Sequence, residues 1–78
     1  MTLAQLPSHK IKPGLRILLP RLNLIGSICE VDPVPEGIRV RFKIDGGKAW
    51  WCYVSDLEPI LNTDGSLIYI PEVLINFP

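Results

Sequence analysis

The 78-residue chain carries eight lysines and arginines against eight aspartates and glutamates, so its formal net charge is zero. That balance excludes a whole-domain basic field of the kind that drives nucleic-acid binding. With 47% hydrophobic and 21% charged residues, eight prolines and six glycines, the composition fits one loop-punctuated folded domain rather than a disordered or long-helical chain.

Residues 1 to 14, MTLAQLPSHKIKPG, predict an irregular N-terminal arm ending in the turn chemistry of Pro13-Gly14. The arm has no basic segment leading into an apolar run, and no stretch of the chain approaches the roughly 20 apolar residues of a membrane helix. The expectation is a soluble, reducing, cytoplasmic setting with no membrane contact. Leu15, Ile17 and Leu19 alternate with Arg16 and Leu18 in a first strand that Pro20 ends. RLNL reads as a loop and IGSICEV as a second strand, with Gly26 marking a bulge or sharp bend and DPVPEG closing it.

IRVRFKI, residues 38 to 44, is the clearest strand: strict alternation puts Arg39, Arg41 and Lys43 on one side and Ile38, Val40, Phe42 and Ile44 on the other. In the DGGK that follows, Gly46-Gly47 predicts a two-residue hairpin turn with Asp45 opposite Lys48. Lys43 then faces Trp50, Phe42 faces Trp51 and Val40 faces Tyr53. This register places Trp50 among the cations and Trp51 in the core. SDL at 55 to 57 reads as one helical turn, EPI as a short closing strand, LNTDGS as a turn, and LIYI as a β-favouring run stopped by Pro71. The predicted core is Leu15, Ile17, Leu19, Ile28, Val40, Phe42, Ile44, Trp51, Tyr53 and Leu57.

The stretches IKPGLRIL, GSICEV, GIRVRFKIDGGKAWWCYV and SDLEPI resemble the Src-homology-3-like small barrel, in the pattern of its Tudor-like and KOW-like members. The match spans residues 11 to 60. It implies an all-β fold, a small five-stranded barrel over residues 15–60; the flanking residues read as an arm at 1–14 and a C-terminal strand or hairpin at 61–78 packed on the barrel. It implies no particular activity, because the architecture hosts many. The first loop, PRLNLIG, lacks the acidic and tyrosine residues of a polyproline-binding Src-homology-3 domain. A methyl-ammonium cage needs several converging aromatics, whereas the register leaves Trp50 alone outside.

Catalytic chemistry finds no set of residues to run on. His9 is the only histidine, and Ser55-Asp56 is turn chemistry. Cys29 and Cys52 lack C-x-x-C spacing, and with His9 they make three ligands where a zinc site takes four. The expectation is therefore no enzyme, no metal, no cofactor and no small-molecule substrate.

Two surfaces remain as candidate binding sites. Arg39, Arg41, Lys43 and Trp50 form the first. Cations two apart on a strand stand about 6.6 Å apart, near the phosphate spacing of an extended single strand, and Trp50 could stack a base. The same row could instead be a solvated face paired by Glu58, Asp64 or Glu72, or a protein hot spot, where Trp and Arg are enriched. Tyr69 and Ile70 mark the second surface, an edge open to β-addition or self-association as a dimer. The ends also hold more apolar residues (Leu3, Leu6, Leu67, Ile68, Tyr69, Ile70, Val73, Leu74, Ile75 and Phe77) than a barrel of about 50 residues can enclose. The expected function is a non-enzymatic protein-interaction or accessory module, with a nucleic-acid-binding barrel as the alternative.

Overall fold

Strands β1 (Arg16–Leu19), β2 (Leu24–Val34), β3 (Gly37–Ile44), β4 (Ala49–Tyr53) and β5 (Glu58–Pro59) join in one antiparallel sheet of order β4-β3-β2-β1-β5. The computed structural model describes residues 1–35 and 37–75. Helix is confined, among the described residues, to three single 3-10 turns and the four-residue α1 (Glu72–Ile75). The protein is thus all-β, as its alternating pattern predicts. No described helix is long and apolar enough to cross a membrane.

β2 is the spine of the sheet. Its first residues, Leu24 to Ser27, pair with Leu19 to Arg16 of β1, and from Gly26 onward it pairs with β3. The sequence places a bulge or bend at Gly26, but the ladder is regular there and shifts between Ile28 and Glu30 instead. The extra residue is Cys29, whose thiol reaches the Arg41 carbonyl at 3.3 Å. One added residue changes which side chains share a face. Ile28 and Val31 both stay inside, opposite Phe42 and Val40, while Glu30 and Asp32 come to lie outside, opposite Arg41 and Arg39.

The N-terminal segment belongs to the core. Leu3 and Ile11 are buried in the same cluster as Leu15, Ile17, Leu19, Ile28, Val40, Phe42, Val54 and Leu57. The amide of Leu3 donates to the Leu57 carbonyl at 2.9 Å, and 3-10 turns at Leu3–Gln5 and Ser8–Lys10 shape the rest. Turns this short carry no hydrophobic period, so the pattern that reveals strands is silent about them.

After β5 the chain makes a small hairpin. Leu61 bridges Leu67, and Asp64 accepts from the amide and hydroxyl of Ser66. Residues 68 to 70 then run antiparallel to 14 to 16, through Arg16 N to Ile68 O and Ile70 N to Gly14 O, both 2.9 Å. α1 follows and buries Ile75 outside the main cluster, beside Ser27, Lys43 and Asp45. Phe77, counted among the apolar tail residues, lies outside the described residues.

A polar clamp ties β1 to the β3–β4 turn. The Arg16 guanidinium donates to both carboxylate oxygens of Asp45, at 2.7 and 2.6 Å, and to the buried Ser27 hydroxyl at 2.9 Å. The hydrogen bond from Arg16 is the main cause holding the Asp45 carboxyl below its ordinary range. Asp45 is exposed, so the pair contributes only about 1 kcal/mol at neutral pH. Because the folded carboxyl is the more acidic, that contribution is complete above the unfolded pKa of about 3.9 and is lost as pH falls through the depressed folded value. Thermal unfolding from pH 7 to 2 should therefore show wild type more stable than Asp45→Asn at neutrality, with the gap closing below about pH 4. A gap that stays constant with pH would remove the clamp.

Candidate interaction face

The β3–β4 turn decides which tryptophan faces out. Ile44 N donates to Lys48 O and Gly47 N to Ile44 O, both 3.0 Å, so the loop is the three residues Asp45, Gly46 and Gly47. Gly46 takes φ 69°, where a side chain would be strained. The loop is one residue longer than Gly46-Gly47 alone, and every pair above it moves by one. Phe42 lies opposite Trp50, Arg41 opposite Trp51 and Arg39 opposite Tyr53.

This corrects the sequence register. Trp50, expected among the cations, packs edge-to-face on Phe42 with ring centroids 5.7 Å apart and is half-buried against the core. Trp51 and Tyr53, expected in the core, are 39% and 49% exposed. In this register Trp50 and Cys52, rather than Trp51 and Tyr53, pack against the core, and Asp45 leaves the ladder to meet Arg16.

Two cross-strand rows build the outer face. Glu30, Arg41 and Trp51 form one row, and Asp32, Arg39 and Tyr53 the other. Arg41 pairs with Glu30 at 3.1 Å and Arg39 with Asp32 at 2.9 Å. The arginines are thus paired from β2 rather than by Glu58, Asp64 or Glu72. The Arg39 guanidinium also lies over the Trp51 ring, 4.7 Å from its centroid. Half-exposed pairs of this kind add little stability; their effect is to fix the guanidinium planes and cancel their charge. Lys43 stands apart, opposite Ser27 and Ala49, where α1 covers the sheet.

The second candidate surface is engaged within the chain. Tyr69 bridges Leu15 through its backbone, its hydroxyl donates to the Lys10 carbonyl, and Lys12 Nζ sits 4.9 Å from its ring centroid. Ile70 is half-buried. A cleft of about 500 Å³ opens between this hairpin and the N-terminal turns, with Leu6 and Leu67 beside His9, Lys10 and Lys12.

Cys29 and Cys52 are half-buried free thiols. Burial raises both thiols above their ordinary value, which keeps them protonated at neutral pH. They stand on β2 and β4 with β3 between them. Among the described residues, no group of three or more His, Cys, Asp or Glu side chains could hold a metal ion.

Fold and face together define a small all-β domain with an exposed arginine-aromatic patch on one side of its sheet. Comparison with known protein families, characterised proteins and solved structures finds no match to this chain.

Proposed function

We propose that this protein is a non-enzymatic, Src-homology-3-like barrel of the cytoplasm that acts as a protein-interaction or accessory module. The barrel reading is supported by the sheet order, by a long β2 shared between β1 and β3, and by the 3-10 turn Val54–Asp56 between the last two strands. The docking face is Arg39, Arg41, Trp51 and Tyr53. The observation that carries it is the Arg39 guanidinium stacked on exposed Trp51 while Asp32 neutralises it. Trp, Tyr and Arg are the residues enriched in interface hot spots. A phosphate backbone, by contrast, is held by unpaired cations that release counterions. Here both arginines already hold carboxylates, so the face suits an uncharged or mixed-charge protein surface better than nucleic acid.

The test is selection from a displayed peptide library, with wild type and Trp51→Ala in parallel at low micromolar concentration. Trp51→Ala should lose the selected binders at least tenfold in affinity, a loss of about 1.4 kcal/mol or more. In the same samples a 20-mer oligonucleotide should leave iodide quenching of Trp51 unchanged. Salt-sensitive protection of Trp51 by the oligonucleotide would transfer the face to nucleic acid.

A further inference from the structure

We infer that β4 is a self-pairing edge: two copies of this chain join antiparallel along Ala49–Tyr53, about a two-fold axis at Trp51, into one continuous sheet. The inference rests on reading Trp51 and Tyr53 as a protein-docking face, and it names a second copy as the partner.

β4 ends the sheet, so one side of it has no strand. The bond from Ile44 N to Lys48 O fixes the phase of the ladder, because antiparallel pairs alternate between bonded and non-bonded. Trp50 and Cys52 therefore turn their N–H and C=O groups toward β3. Those of Ala49, Trp51 and Tyr53 point away, toward the side of β4 that has no strand, with the Tyr53 carbonyl also capping the Val54–Asp56 turn. Sheet edges are commonly blunted by proline, lysine or a bulge. Ala49–Tyr53 reads AWWCY and is paired without a break.

The free groups sit at three positions symmetric about Trp51, which is what an isologous two-fold contact requires. Pairing Trp51 with its own copy puts Ala49 opposite the other copy's Tyr53 at each end, a small side chain against a large one. On the inner face the same register sets Cys52 opposite the copy's Trp50. Charge is complementary as well. Lys48 precedes the strand and Asp56 closes the 3-10 turn after it; both are exposed and neither joins an ion pair among the described residues. The two-fold brings Lys48 of one copy alongside the Val54–Asp56 turn of the other, twice. The neutralised arginines leave no net charge on the face to repel a second copy.

Sedimentation velocity from about 10 µM to 1 mM tests this, since an interface at the small end of the size range is weak, with a dissociation constant on the order of 100 µM. Wild type should shift toward twice the 8.8 kDa chain mass as concentration rises. Trp51→Lys, which sets two cations face to face on the axis, should remain monomeric, with Trp50 emission reporting that it is folded. Lys48→Glu should weaken the dimer about five- to tenfold, and adding Asp56→Lys to it should restore the dimer. A wild type that stays at 8.8 kDa to 1 mM, or a dimer untouched by both Trp51→Lys and Lys48→Glu, overturns the inference. The peptide selection is read at monomeric concentrations. A monomeric protein that still selects Trp51-dependent peptides therefore overturns the self-pairing alone, whereas loss of both results overturns the docking face.

Discussion

Gly26→Ala is expected to destabilise the protein severely. Gly26 lies in the middle of the sheet, paired with Ile17 on one side and Ile44 on the other. A Cβ built there overlaps the Lys43 carbonyl oxygen and comes within 2.6 Å of Phe42 Cε2. The ring could shift, but the carbonyl belongs to the β3 backbone and cannot move without opening the ladder. We expect a cost of about 4 kcal/mol or more, at the upper end of single substitutions. A domain of this size has a total stability of roughly 4–12 kcal/mol. Far-UV circular dichroism with a urea titration reads the loss directly. Gly26→Ala combined with Phe42→Leu separates the two contacts: because the backbone contact dominates, the shorter side chain should recover less than about 1 kcal/mol. A soluble Gly26→Ala protein with wild-type urea midpoint would mean that β2 and β3 do not approach as described.

The same glycine marks the limit of what the sequence discloses. Its missing side chain is visible as a gap in the pattern IGSICEV, and reading that gap as a bulge is reasonable from one strand alone. The close approach becomes evident only when Lys43 and Phe42 are laid against it. The β3–β4 hairpin repeats the lesson. DGG contains both a two-residue and a three-residue turn, and AWWCY is apolar at either phase, so nothing local separates the registers. The deciding contacts are distant in sequence: Arg16 taking Asp45, and Phe42 taking Trp50. By contrast Leu15, Ile17, Leu19, Ile28, Val40 and Phe42 are legible at once and are buried, because alternation within each strand fixes them whatever the neighbour does; Leu57, also expected and buried, ends the 3-10 turn instead. Ile44 is only half-buried, being the last residue before the turn.

The candidate face was legible in part for the same reason. Arg39 and Arg41 follow from the period of their own strand. Their aromatic partner follows from a register, and their acidic partners from the bulge at Cys29, which carries no turn or glycine signal. Glu30 and Asp32 could have been found by one observation: two acids two apart on β2 mirror two arginines two apart on β3. Once those pairs are set, the face changes from a phosphate-seeking row to a neutral one, and the functional reading changes with it.

Leu3→Ala tests whether the N-terminal turns are structural. The sequence gives the first fourteen residues no period, yet Leu3 is fully buried, packed in the cluster that includes Val54 and Leu57. Its backbone is tied to Leu57, so truncating the side chain leaves that bond in place and isolates the packing term. Removing three carbons from a closed site costs about 2–5 kcal/mol, from lost transfer energy plus the cavity left behind. In a domain of 60–100 residues that corresponds to a fall in Tm of at least about 10 °C. Val73→Ala supplies the contrast: Val73 is 74% exposed on α1, and its truncation should change stability by less than about 0.5 kcal/mol. Equal, small effects at both positions would return residues 1 to 14 to the status of a loose arm. A large effect at Leu3 alone establishes that the sheet cannot close its own core, and that the N-terminal turns are the lid that completes it.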